Sequence, residues 1–107
     1  MTICILALGA TASLVGCAKD PVVIQAPIVQ ICVEGVNYIR VPDADCQATP
    51  KIPSHNWVYV TYSPHFSKTI PPVGEQVHPR ERFTYQRPIG KGEIVRAPED
   101  GAVFADR

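Results

Sequence analysis

The spacing of apolar residues changes character along the chain. Residues 1–16 carry no charged side chain, and Ile3, Ile5, Leu6, Ala7, Leu8 and Ala10 form an apolar run with small residues around and after it. A membrane-crossing helix needs about 20 apolar residues, and Lys19 and Asp20 arrive too early for that. The run has the length of an export-signal core, about 7–15 residues. Further on, the period falls to two. Ile28-Val29-Gln30-Ile31-Cys32-Val33 and Val36-Asn37-Tyr38-Ile39-Arg40-Val41 are β-favouring runs separated by Glu34-Gly35, a spacing that predicts a tight hairpin. A two-residue turn sets Val33 opposite Val36, Ile31 opposite Tyr38 and Val29 opposite Arg40. Val29, Ile31, Val33, Val36 and Tyr38 then share an apolar face. Gln30, Cys32 and Asn37 lie on the other, among Ile28, Ile39 and Val41. A lone hairpin is marginal in water, so the apolar face requires a cover.

Asn56–Tyr62 predicts a third strand, with Trp57, Tyr59 and Thr61 on one face and Val58, Val60 and Tyr62 on the other. Either face is able to cover the hairpin. Residues 82–86, 93–96 and 102–104 are shorter strand candidates, with a turn at Asp100-Gly101. Pro42-Asp43-Ala44-Asp45 has turn chemistry and returns Cys46 toward the hairpin. Pro64, Pro71, Pro72 and Pro79 predict an extended connector over 63–80. No stretch shows helical periodicity, and no internal repeat is present.

Composition sharpens this picture. Eleven Pro and seven Gly make 18 of 107 residues, about 17% against a usual ~12%, which disfavours a helical domain. The expected fold is mainly β: a small, disulfide-stapled antiparallel sheet built on the hairpin, with Pro-rich connectors. Ten basic and ten acidic residues balance to a formal charge of zero, against a nucleic-acid binder that works through a basic field. A chain of this length holds one small domain and has no room for a large cleft enzyme.

The apolar run ends in Leu14-Val15-Gly16-Cys17. This resembles the lipobox of bacterial lipoprotein precursors: an aliphatic residue, two tolerant or small positions, then an obligatory Cys. The resemblance implies diacylglyceryl transfer to the Cys17 thiol and signal cleavage between Gly16 and Cys17, with fatty acylation of the new amino terminus in many bacteria. The chain departs from the family in having no Lys or Arg before the run, which a start site upstream with a basic segment would supply. Ala18, not Asp, follows the Cys, which in this family directs the product to the outer membrane. Two or more acyl chains hold a protein firmly in a bilayer, where one does so only marginally. On this reading 1–16 is the signal peptide and 17–27 a lipidated Cys with an extended tether. Residues 28–62 form the hairpin and third strand, and 63–107 the connector and short C-terminal strands. Cys4 leaves with the signal, so Cys32 and Cys46 are the remaining thiols. An even pair in an exported chain reads as a disulfide; an intermolecular bridge or two free thiols are the alternatives.

Candidate chemistry is sparse. His55, His65 and His78 lack the close spacing of metal ligands, and they read as loop or turn residues. Gly90-Lys91-Gly92-Glu93 has neither the spacing nor the Ser/Thr of a phosphate-binding loop. Cys46 and His55 could form a nucleophile pair, but a disulfide is the better use of Cys46. Glu99-Asp100 sits in a turn, and Arg80-Glu81-Arg82 marks a solvated edge. No catalytic constellation, metal site or cofactor motif emerges. The expectation is a non-catalytic, outer-membrane-anchored lipoprotein, its domain facing the periplasm and meeting an envelope protein partner. Trp57, Tyr59 and Tyr62 are the candidate contact residues, since aromatics are rich in interface energy; the competing use of these rings is to fill a thin core. The chain also shares general features with the outer-membrane subunits of phage spanin pairs, which are short, lipobox-bearing and Pro-rich with an extra Cys. It differs from them in length, in having no proline run beyond Pro71-Pro72, and in its strand-like aromatic segments. A lipoprotein of a secretion or conjugation channel and a phage-encoded receptor blocker are further alternatives.

Overall fold

A computed structural model describes residues 21–77 and 83–106. These residues form a mainly β fold of eight strands and one helical turn: β1 (Val22–Ile24), β2 (Ile28–Glu34), β3 (Ile39–Val41), α1 (Asp43–Gln47), β4 (His55–Thr61), β5 (Thr69–Ile70), β6 (Phe83–Thr84), β7 (Ile94–Arg96) and β8 (Ala102–Phe104). Two sheets share one core. The larger runs β3-β2-β4-β6, with β7 also on β2; the smaller runs β1-β8-β5.

β2 is the axis of the larger sheet. One edge pairs with β4 along its whole length, from Ile28↔Thr61 to Glu34↔His55. The opposite edge is divided: β3 takes Cys32–Glu34 antiparallel, and β7 takes Ile28–Gln30 in parallel. The run IVQICVE therefore has neighbours on both sides, and Ile28, Val29, Ile31, Cys32 and Val33 are all fully buried. Val29, Ile31, Val33, Val58 and Val60 face Ile24, Ile70, Ala102 and Phe104 of the smaller sheet, and these side chains make the core. Each fully buried Val or Ile contributes about 1.5–3 kcal/mol. The core is thin, and its largest fully buried side chain is Arg40.

The hairpin register differs from the two-residue expectation. The Glu34 carboxylate accepts from the backbone N–H groups of Val36 (2.7 Å) and Asn37 (2.9 Å), and Tyr38 takes a left-handed φ of 57°. The turn widens to residues 35–38, and Val33 pairs with Arg40 in place of Val36. Moving from 36 to 40 is a slip of four positions. Because four is even, Ile39, Arg40 and Val41, the residues that stay paired, keep their faces. Val36 is correspondingly released to solvent, while Arg40 is fully buried.

Other expectations are corrected as well. β4 ends at Thr61, leaving Tyr62 outside the strand; it lies beside β2 in the same sheet and does not cover the hairpin. The cover comes from the smaller sheet. Val22–Ile24, in the stretch expected as tether, is a strand paired in parallel with β8. The supposed connector contains β5, which pairs with β8, and residues 73–77 line the outer edge of β3 through Gly74 N–H to Arg40 O, Arg40 N–H to Glu75 O and Val77 N–H to Tyr38 O. The Pro42–Asp45 turn becomes the single helical turn α1. Arg80-Glu81-Arg82, Pro79 and His78 lie outside the described residues.

Two devices compensate for the small core. Cys32 and Cys46 form a disulfide, with Cα atoms 5.8 Å apart and a sequence separation of 14; it ties α1 to the back of β2. Arg40 is the second. Its Nη1 donates to Pro71 O (2.9 Å) and Pro98 O (2.8 Å), and its Nη2 to Ala97 O (2.8 Å). Burial pushes the guanidinium below its ordinary pKa, opposed by the charges of Asp43, Glu99 and Asp100; Arg nevertheless stays protonated. Nearby, Asp43 N–H donates to Glu99 Oε2 at 3.0 Å. The Asp43 carboxyl is pushed above the usual carboxylate range, first by burial; Arg40 opposes this, Glu99 adds to it and Arg96 opposes it. A raised folded-state pKa means that the native form binds this proton more readily than the unfolded chain. Ionised Asp43 thus weakens the fold at neutral pH, an effect relieved as pH falls through that raised value.

Replacing both Cys32 and Cys46 by Ala should lower stability by about 3 kcal/mol, the chain-entropy value for a loop of this length. A urea melt of the double variant against the parent measures it, and coincident midpoints would show that the staple adds nothing. Arg40→Met removes three hydrogen bonds and the counter-charge of the acidic cluster. Its expected cost is on the order of 3–5 kcal/mol, and Arg40→Lys, with a smaller donor head, should fall between Met and the parent in the same melt.

Candidate functional site

The outward face of the larger sheet brings aromatic and cationic side chains together. Strand alternation on β4 sends Val58 and Val60 inward and Trp57, Tyr59 and Thr61 outward, the same side as Gln30 and the Cys32–Cys46 bridge. Parallel pairing of β7 with β2 sets Arg96 beside Gln30, and from there its guanidinium lies over the Trp57 ring, 4.6 Å from the centroid. Arg87 approaches the Tyr59 ring at 5.9 Å, and Gln30 Nε2 donates to Tyr59 Oη at 3.3 Å. Each such cation–ring contact is worth about 0.5–1 kcal/mol at an exposed site. Tyr85 stands half-exposed at the rim, edge-on to Phe83.

A shallow cavity of about 290 Å³ opens among Lys51, His55, Asn56, Trp57, Tyr59 and Tyr85. Lys51 Nζ donates to Asn56 Oδ1 at 2.7 Å, and His55 Nδ1 lies 3.2 Å from Asp45 Oδ2. A second concavity of about 500 Å³ follows along the strap after β6, lined by Thr61, Thr84, Gln86, Arg87, Pro88 and Ile89; Ile89 is 90% exposed there. Aromatic walls with ammonium, guanidinium and amide donors suit a ligand that presents a flat apolar surface and acceptor oxygens, such as an extended peptide. Cys46 is bridged and presents no thiol to His55. Among the described residues, no three of His, Cys, Asp and Glu are grouped to hold a metal ion.

The sequence-predicted contact residues separate. Trp57 is half-buried beneath Arg96, Tyr59 is only 7% exposed, and both belong to this outward face. Tyr62 packs instead against the core, its ring edge-on to Phe104 at 5.8 Å. Gly16 and Cys17 lie outside the described residues. Arg87, Arg96, Lys51 and Tyr85 were not legible as site residues in the sequence. Alternation on 94–96 does put Arg96 on the same side as Ile94, but its meeting with Trp57 depends on which strand β7 joins.

Comparison of the chain with protein-family models, curated proteins and solved structures found no match.

Arg96→Ala should bare the Trp57 indole to water. The expected outcome is a red-shifted emission maximum and faster acrylamide quenching of this sole tryptophan, with little change in stability. An unmoved spectrum would mean that the guanidinium does not shield the ring.

Proposed function

We propose that the chain is the precursor of a small outer-membrane lipoprotein, anchored through acyl chains on Cys17, whose β domain is a non-catalytic structural or binding module in the cell envelope. The observation that carries this is Leu14-Val15-Gly16-Cys17 placed directly after an uncharged apolar run. The disulfide supports it, because Cys32–Cys46 suits an oxidising compartment such as the periplasm. No helix among the described residues is long and apolar enough to cross a membrane. The face built on Trp57, Tyr59 and Tyr85 is the surface offered to an envelope protein partner.

Intact mass of the protein from the membrane fraction tests the reading. The expected value is that of residues 17–107 plus acyl chains, rising by two hydrogens on reduction, and Cys17→Ser should yield a protein lacking lipid and lost from the membrane fraction. An unmodified full-length mass, or normal membrane partition of Cys17→Ser, would overturn it.

A further inference from the structure

The place where the chain enters the fold bears on how the domain is held. Four residues, 18 to 21, separate Cys17 from the first strand residue, Val22. Five Cα steps reach at most about 18 Å, so a lipid on Cys17 keeps the start of β1 close to the leaflet. β1 belongs to the smaller sheet, whose inner face packs Ile24, Ile70, Ala102 and Phe104 into the core. Its outer face holds Val23, Val103 and Thr69 in register. Val23 is 52% exposed on that face, next to Val103 and close to the end nearest the anchor, whereas Val22 alternates to the side of Ile24 and Ala102. A cavity of about 280 Å³ continues this surface past Pro21, Ile70, Pro72 and Gly101. The larger sheet lies across the core from it, with the cations and rings of Trp57, Tyr59, Arg87 and Arg96 on its far side.

We propose that the domain seats on the lipid leaflet through the outer face of the β1-β8-β5 sheet, with Val23, Val103 and Thr69 against the headgroup boundary, so that the Trp57–Tyr59 face points away from the membrane. This rests on the lipid anchor at Cys17 proposed above. Apolar side chains beside a lipid anchor gain by leaving water, and the short tether limits how far the domain can turn from the surface. The opposite, cation-rich face is thereby left open to a partner.

Trp57 is the chain's one tryptophan and reports its own face directly. The mature lipidated protein is reconstituted into phosphatidylcholine vesicles whose acyl chains carry bromine close to the headgroup. Trp57 emission should be unchanged from that in unbrominated vesicles. In a Trp57→Phe background, Val23→Trp and, separately, Thr69→Trp should lose most of their emission; the second reporter, in register on the same face, covers misfolding of the first. Vesicle-bound protein in which Trp57 is quenched, or in which neither reporter is, overturns the seating and leaves the anchor standing. Protein that floats apart from the vesicles with an unmodified mass removes the anchor itself, and the seating with it.

Discussion

The fold depends on one buried cation. Arg40 enters the core face of the larger sheet and spends its guanidinium on the carbonyls of Pro71, Ala97 and Pro98. These lie on two chain segments that are far from β3 in sequence, and neither could bury its carbonyls there without a donor. An unsatisfied buried carbonyl costs about 1–3 kcal/mol. The guanidinium is thus less an ion pair than a planar bracket holding the exit of β7 and the end of β5 beside β3. Asp43, Glu99 and Asp100 ease its desolvation from a distance.

This bracket explains how so short a chain builds two sheets. The apolar side chains available are mostly Val and Ile, and the buried cluster is small. A domain of this size rarely gains more than about 3–5 kcal/mol from its core alone. Cross-links between distant segments supply what burial does not: the bridge from β2 to α1, the three carbonyls on Arg40, and the backbone bonds that run residues 74–77 along the free edge of β3. Proline, so frequent here, suits such segments. It stiffens the connectors and removes donors that an irregular path would leave unpaired.

The same economy separates two surfaces. One side of the core ends in a short sheet with Val23 and Val103 on its outer face; the other ends in rings capped by guanidinium groups. Both arise from period-two alternation, which sends one set of side chains inward and the next outward. The proposed anchor would give a domain with such unlike sides a reason to keep one orientation.

Much of this was legible in the residues. Alternation alone separated Val29, Ile31 and Val33 from Gln30 and Cys32, placed Trp57 and Tyr59 together, and located β8 at 102–104; the Cys32–Cys46 bridge was the expectation for an even pair in a chain read as exported. These are local properties, set by side-chain period and by covalent possibility. The register of β2 on β3, the recruitment of Val22–Ile24 and Thr69–Ile70 into a second sheet and the stacking of Arg96 on Trp57 were not. The hairpin register is set by the wider turn that the Glu34 carboxylate holds; the others join segments that are distant in sequence and depend on which edge a short strand takes, a choice made by what else must be buried. Arg40 shows the division most clearly. The alternation placed it on the apolar face, but only the assembled fold supplied the three carbonyls that make a buried cation stable there.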